Sequence, residues 1–231
     1  MTLRVVSLDL DDTLWDCKQV ILKAEAVLRE WLQERYPKIT EAYSIEEMRA
    51  HRFALIDRQP NLKHNLSKLR QVSLEMIASE FNYSPELSGP ANEVFLEARN
   101  RVTLYEDVLP VLEKLAKEYS LIALTNGNAD IEKVGLGHLF DKLISAADVG
   151  TSKPAPEMFH AISRVSGASI DEIIHVGDDP VHDIQGAHSV GMRCVWVNRD
   201  ELAWPDEHEP PHAEVRNLHE LIPLLAEWGG G

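Results

Sequence analysis

The sequence predicts an α/β fold in which a parallel sheet is interrupted by an inserted α-helical subdomain, and three observations carry that expectation. Five short apolar runs recur along the chain, and helical patterns lie between the later ones. Between the first run and the second stand about eighty residues of helix signal without a strand.

The elements follow in order. Leu3–Leu8 is short, apolar, partly β-branched and bounded by turn-forming acids, which suits a strand buried on both faces. Val20, Ile21, Ala24, Val27, Leu28, Trp31 and Leu32 then form one apolar stripe, stopped by Pro37. "SIEE" at 44–47 is a capping box for the next helix, with Pro60 just beyond its end. Two more helices are predicted, over "LSKLRQVSLEMIASEF" and, after Gly89-Pro90, over "ANEVFLEARNRV". "LPVLEKLAKEY" (109–119) opens with Pro110 at a first helical position and sets Val111, Leu112, Leu115, Ala116 and Tyr119 on one face. Strands are predicted at "SLIALT" (120–125), "KLISAADV" (142–149), "EIIHVG" (172–177) and "MRCVWV" (192–197), and "EVRNLHELIPLL" adds an edge strand and a last helix. Strand, helix, strand, repeated, means right-handed crossovers in a parallel, Rossmann-like sheet. Residues 1–15 and 101–231 are assigned to this core and 16–100 to the helical insert. There is no internal repeat, and low complexity is confined to Gly229–Gly231.

Composition narrows the function classes. With 231 residues and 44% hydrophobic side chains the chain can bury a substantial core. A formal charge of −15 repels phosphates and anionic lipid heads, and no Lys/Arg cluster offsets it, so no nucleic-acid or membrane partner is expected. Cys17 and Cys194 show neither metal spacing nor a disulfide framework. The start "MTLRVV" lacks a signal-peptide apolar region, and no apolar run reaches membrane-spanning length. These features predict a soluble cytoplasmic protein.

The unusual polar residues fall at the carboxyl ends of the predicted strands. Asp9 and Asp11 end the first, Thr125 and Asn126 the second, Lys153 follows the third, and Asp178, Asp179 and Asp183 follow the fourth. Ligands of open parallel sheets bind outside those ends, so four loops are aimed at one place. The run "VVSLDLDDTLWD" (5–16) places Asp9, Asp11, Asp12 and Asp16 close together, and such charges repel unless a cation or donors are present. Hard oxygen donors without Cys or a well-placed His select magnesium over zinc, and magnesium commonly completes its shell with a substrate phosphate. The expected substrate is therefore a small-molecule phosphate ester. Asp9 can attack phosphorus to form an aspartyl-phosphate. Asp11, two residues on, can protonate the leaving oxygen and later take a proton from water. The Thr125 hydroxyl, the Asn126 backbone or amide and the Lys153 ammonium would bind the transferring oxygens. Asp178 would hold magnesium, and Asp183 would orient Lys153 or a metal-bound water from outside the coordination shell. Asp12 and Asp16 are assigned to the turn and the hinge.

"DLDDT" (9–13), "LTNGN" (124–128), "SKP" (152–154) and "GDDPVHD" (177–183) resemble the four ordered motifs of the haloacid dehalogenase-like hydrolase superfamily, over essentially the whole chain. The resemblance implies that Asp9 is the nucleophile and Asp11 the general acid/base. It implies magnesium held by Asp9, the backbone carbonyl of Asp11 and Asp178, and an insert that serves as a cap of the first type. Dehalogenating members lack the second acid, so by this resemblance Asp11 implies phosphoester hydrolysis. "ALTNGNADI" and "HVGDD" are similar to a bacterial branch acting on flavin mononucleotide or the ribityl phosphate precursor of riboflavin, with phosphoglycolate and pyrimidine nucleotides as further substrates within the superfamily. A phosphomutase of the same superfamily is one alternative, and a phospho-accepting signalling domain is another. Receiver domains carry the phosphorylated Asp on a later strand and have no helical insert, so the insert favours an enzyme with a lid.

Other patterns carry less. "HEPPH" (208–212) sets His208, Glu209 and His212 at the spacing of a zinc protease, but Pro210 and Pro211 cannot continue the helix that motif needs, so a loop is expected. "GLGHLF" (135–140) is read as a helix end, His175 as a buried, hydrogen-bonded strand histidine, and His182 and His188 as surface residues. "NLKHNLSKLR" (61–70) carries His64, Asn65, Lys68 and Arg70, read either as contacts for a leaving group or as a plain helix start.

Overall fold

A computed structural model describes residues 2–229, and the last two glycines of the terminal run lie outside it. One compact unit holds the residues up to Asp16, Thr103–Gly127 and those from Ile131 onward; the other holds Cys17–Val102 with Asn128–Asp130.

The first unit is built on six strands: β1 (Val5–Leu8), β2 (Ser120–Thr125), β3 (Lys142–Ser145), β4 (Ile173–Gly177), β5 (Arg193–Val197) and β6 (Ala213–Val215). Their order is β3-β2-β1-β4-β5-β6 and each neighbouring pair is parallel. The chain winds outward from β1 in one direction and then, from β4, in the other, which opens a crevice at the carboxyl ends of β1 and β4. Register sharpens this: Leu8 stands opposite both Ala123 and Val176, so the residues that follow the three central strands emerge at nearly one level. The helices on the sheet close a core of Val5, Ile122, Leu124, Ile144, Phe159, Ile162 and Ile173. Each such fully buried aliphatic or aromatic side chain contributes about 2 kcal/mol.

Several boundaries differ from expectation for local reasons. The third apolar run is a strand only through Ser145; Ser145 and Asp148 form a capping box that turns Ala146–Val149 into a helical turn, ended by Gly150 at φ 78°. Pro110 is the third residue of helix Val108–Leu115. Gly89-Pro90 lies inside the first turn of helix Ser88–Arg99, where a missing N–H leaves no intrahelical bond unmade.

The second unit packs helices Cys17–Arg35, Pro37–Ala42, Ile45–Arg58, Leu66–Glu80 and Ser88–Arg99 around Ala24, Leu28, Leu32, Ile39, Leu74, Ile77 and Phe95. The capping box of Ser44 and Glu47 is formed, and Pro37 ends one helix by starting the next. Val27 is 37% exposed, so the stripe of the first helix is narrower than its sequence suggests, and Glu25 takes a buried place on that face. Glu25 is acceptable there because Arg49 and Arg52 both donate to it. Asn128–Asp130, placed in the core by sequence, belong to this unit: Asn128 Nδ2 donates to Ser67 Oγ (3.1 Å) and the Asp130 N–H to Asn100 Oδ1 (2.8 Å). Among the described residues no helix is long and apolar enough to cross a membrane.

Candidate active site

The Asp9 N–H donates to the Val176 carbonyl (2.9 Å), so the first acid is held on the sheet where β1 ends. Asp9 is buried, and so are Lys153 and Asp183. Lys153 Nζ donates to Asp9 Oδ1 (2.5 Å) and to Asp183 Oδ1 (2.6 Å). Asp183 is occupied on both oxygens, since Oδ1 also meets His175 Nε2 (2.9 Å) and Oδ2 accepts from the Asp179 N–H (3.1 Å). An ionised carboxylate only accepts, which puts the imidazole proton on Nε2 and leaves Nδ1 to accept from Ser7 Oγ at 3.1 Å. His175 is thus the buried, hydrogen-bonded residue its strand position suggested.

Charge explains the titration behaviour. Burial alone would raise Asp183, but the Lys153 ammonium and the His175 hydrogen bond outweigh it and hold this carboxyl well below the usual range. Burial pulls Lys153 down, and the charges of Asp183 and Asp9 overcome that and keep it firmly protonated. Asp9 is pushed well above the ordinary carboxylate value by burial, opposed by Lys153 and reinforced by the charges of Asp183 and Asp178. Burial and the Asp183 charge raise Asp178 to about 7. One ammonium does not balance these acids.

Asp9, Asp178 and Asp183 each offer an oxygen within 4.8 Å of the others. With Asp183 committed to Lys153, His175 and Asp179, the oxygens left for a cation are those of Asp9 and Asp178. An all-oxygen, anionic donor set with surplus charge fits a hard divalent cation. Asp11 lines the same cleft but is not one of the three; its Oδ1 accepts from Trp15 Nε1 (2.8 Å), which fixes the direction of its carboxyl.

Thr125, Asn126 and Lys153 also line this cleft. Thr125 Oγ1 accepts from the Gly127 N–H (2.9 Å) and keeps its own proton to donate. For Asn126 the side-chain alternative is taken up within the protein. Its amide is engaged with the Lys153 backbone, Nδ2 to the carbonyl (3.0 Å) and Oδ1 from the N–H (2.7 Å), which leaves the backbone as the alternative open to a ligand oxygen. The amide instead fixes the loop that delivers the ammonium.

Thr13 was not singled out by the sequence, although it stands at a fixed offset of four from Asp9. It is buried, and Oγ1 donates to Asp178 Oδ1 (2.9 Å) and, more weakly, to Asp9 Oδ2 (3.4 Å), tying the two acids together. Trp196 Nε1 holds the Asp178 carbonyl (2.7 Å). A Cβ on Gly177 would lie 2.3 Å from Asp183 Cγ, so only glycine lets that carboxylate approach the strand end. Asp12 adopts φ 61°, a left-handed turn that aspartate tolerates, and Asp16 is exposed. Asp179 caps the π-helical turn Pro180–Gln185, accepting from the N–H groups of Val181 and His182.

In the helical unit Asn65 caps helix Leu66–Glu80, while Arg70 is buried over the Phe95 ring and so is not presented for a leaving group. "HEPPH" is irregular backbone. His182 is exposed, whereas His188 is only partly exposed, with 13% of its side chain accessible, and stacks on His212.

Comparison with known proteins agrees with this architecture. The family model described as haloacid dehalogenase-like hydrolase matches residues 3–191. The chain is 31% identical over 227 residues to 5-amino-6-(5-phospho-D-ribitylamino)uracil phosphatase YigB of Escherichia coli, covering 95% of each chain. It is 33% identical over 150 residues to phosphoserine phosphatase of Thermus thermophilus, 62% of this chain and 59% of that one. A crystal structure described as 2-haloacid dehalogenase from Pseudomonas syringae pv. Tomato DC3000 superposes with a TM-score of 0.93 at 39% identity, covering 98% of this chain and all of that one.

Proposed function

The chain belongs to the haloacid dehalogenase-like hydrolase family, and from that premise we propose that it hydrolyses a small phosphate monoester through a phosphorylated Asp9. The relatives include both phosphatases and dehalogenases. One observation carries the choice between them: Asp11 lines the cleft with Asp9 and has its carboxyl oriented by Trp15 Nε1. A halide departs without a proton, whereas an alkoxide leaving from phosphorus needs one, so an acid at Asp11 has work in ester hydrolysis and none in dehalogenation.

In the first step an Asp9 oxygen attacks phosphorus, the ester P–O bond breaks, and Asp11 delivers a proton to the departing oxygen. In the second, Asp11 takes a proton from water as that water attacks phosphorus, releasing inorganic phosphate and restoring Asp9. The Lys153 ammonium, the Thr125 hydroxyl and the Asn126 backbone N–H receive the phosphoryl oxygens, while Asp183 orients Lys153. Mg²⁺, held by Asp9, Asp178 and the Asp11 carbonyl, would supply the positive charge that these carboxylates lack and that the phosphoryl group needs. We assign the helical unit the role of a cap that excludes water from the cleft. The relative YigB, named for a ribityl phosphate, supports a substrate of that class, and the resemblance of "ALTNGNADI" and "HVGDD" adds flavin mononucleotide as a candidate. We assign the protein to the cytoplasm, in keeping with two cysteines that form no disulfide.

The test is release of phosphate from a panel of esters, including 5-amino-6-(5-phospho-D-ribitylamino)uracil and flavin mononucleotide, with Mg²⁺ or a chelator, for wild type and Asp9→Asn. Turnover that needs Mg²⁺ and is lost in Asp9→Asn is expected. Release of halide from a 2-haloacid with no ester turned over would overturn the reading, and isomerisation without free phosphate would mark a mutase.

A further inference from the structure

We propose that Cys194, His188 and His212 form a binding site for a zinc-class divalent cation, apart from the acidic cleft. Three elements contribute. Cys194 lies on β5, His188 ends the helical turn Gly186–His188, and His212 immediately precedes β6. Separations of six and eighteen residues match no ligand-spacing signature, which is why the cysteine looks isolated in the sequence.

Cys194 Sγ lies 3.6 Å from His188 Nε2 and 3.4 Å from His212 Nδ1, and the three atoms fall within 4.8 Å of one another. In a tetrahedral site with Zn–S of about 2.3 Å and Zn–N of about 2.05 Å, the S···N edge is about 3.6 Å. Both sulfur-to-nitrogen separations therefore already match the edge such a cation requires. A thiolate with two imidazoles selects zinc or cobalt over magnesium, whereas the carboxylates of Asp9 and Asp178 have the opposite preference.

The protons can be placed. His212 Nδ1 accepts from the Cys194 N–H (3.2 Å) and so carries a lone pair, which it would turn from that bond to the cation. His188 Nε2 donates to the Pro210 carbonyl (2.9 Å), and its Nδ1 lies 3.9 Å from Glu209 Oε1. On binding, the Cys194 thiol releases its proton to solvent, and the His188 proton moves from Nε2 to Nδ1, where Glu209 accepts it. One proton leaves per cation, water completes the fourth position, and Glu209 orients His188 as carboxylates commonly orient metal-bound histidines. Gln185 Nε2 already holds the Glu209 carbonyl (2.7 Å), so the cation would clamp the β5–β6 connection onto the sheet.

The test is titration of the tag-free chain with Co²⁺ in excess Mg²⁺, read by thiolate-to-cobalt charge-transfer absorption. One equivalent is expected to saturate the band, with Zn²⁺ displacing cobalt and raising the thermal midpoint. Cys194→Ser should abolish the band and Cys17→Ser should leave it. His188→Gln and Glu209→Gln should each weaken binding by roughly tenfold or more. A wild-type protein without the band, or a band that persists in Cys194→Ser, would overturn the proposal. If Cys194→Ser does not fold, His188→Gln decides, and unchanged cobalt affinity there overturns it equally.

Discussion

Lys153 reaches Asp183 at 2.6 Å with both side chains almost wholly shielded from water, and the same ammonium holds Asp9. A buried triad of this kind is costly to break from either side, because each removal strands charge. Lys153→Met is expected to destabilise the sheet unit by about 3–5 kcal/mol in chemical denaturation, and to abolish phosphate release. A Lys153→Met protein as stable as wild type would remove the triad from the account of stability.

Asp11→Asn separates the two halves of the proposed reaction. Its fold should be retained, since the carboxamide oxygen can still accept from Trp15. Ester turnover is expected to fall roughly 10²- to 10⁴-fold, more for alkyl esters than for aryl esters, whose leaving groups need less protonation. An equal drop for both would argue against Asp11 as the acid. Trapped, slowly hydrolysing phosphoenzyme should be recoverable by acid quench.

Thr13→Val removes the hydroxyl that ties Asp178 to Asp9 while keeping shape. Apparent Mg²⁺ affinity should weaken about tenfold, with Thr13→Ser close to wild type. The check is the Mg²⁺ concentration needed for half-maximal turnover, and no change in it would make Thr13 a packing residue only.

Glu25 sets an acid limit on the helical unit. Burial raises this carboxyl, but the hydrogen bonds from Arg49 and Arg52 outweigh it and hold it below its ordinary value. A depressed folded pKa gives stability that is complete above the unfolded value, about 4.3 for glutamate, and is lost as pH falls through the lower folded value. Helical content should therefore be flat near neutrality and decline below about pH 4. Glu25→Gln should cost about 2 kcal/mol at neutral pH, less than a fully buried pair, because Arg49 keeps 34% of its side chain exposed. Its acid-induced loss should also be shallower than that of wild type.

Gly177→Ala tests the close approach at the end of β4. The added Cβ must displace the Asp183 carboxylate, which loosens Lys153 and the Asp179 N–H together. A loss of about 1–3 kcal/mol is expected, with activity falling more than stability. A crystal structure of the variant with Asp183 unmoved would contradict the steric reading.

What was legible in the chain follows from the range of each interaction. Strands buried on both faces read as unbroken apolar runs, so β1, β2, β4 and β5 stand out, and acids after such runs point to the crevice. The third run misleads because Ser145 and Asp148 stop a strand by capping a helix, a local signal hidden within apolar periodicity. Thr13 and the Asn126 amide were unreadable for a different reason: their partners, Asp178 and the Lys153 backbone, lie far along the chain and leave no spacing pattern. Cys194 and its two histidines belong to the same class.

The paired hydrogen bonds between the Asn126 amide and the Lys153 backbone join the loop after β2 to the loop after β3. A double-ended clasp resists shear, so the two loops are fixed in position relative to each other. The span between the Thr125 hydroxyl and the Lys153 ammonium is thereby kept constant, like the jaw width of a fixed gauge. In the proposed reaction that gauge would receive the phosphoryl group, while residues elsewhere around the cleft would set which molecule is admitted.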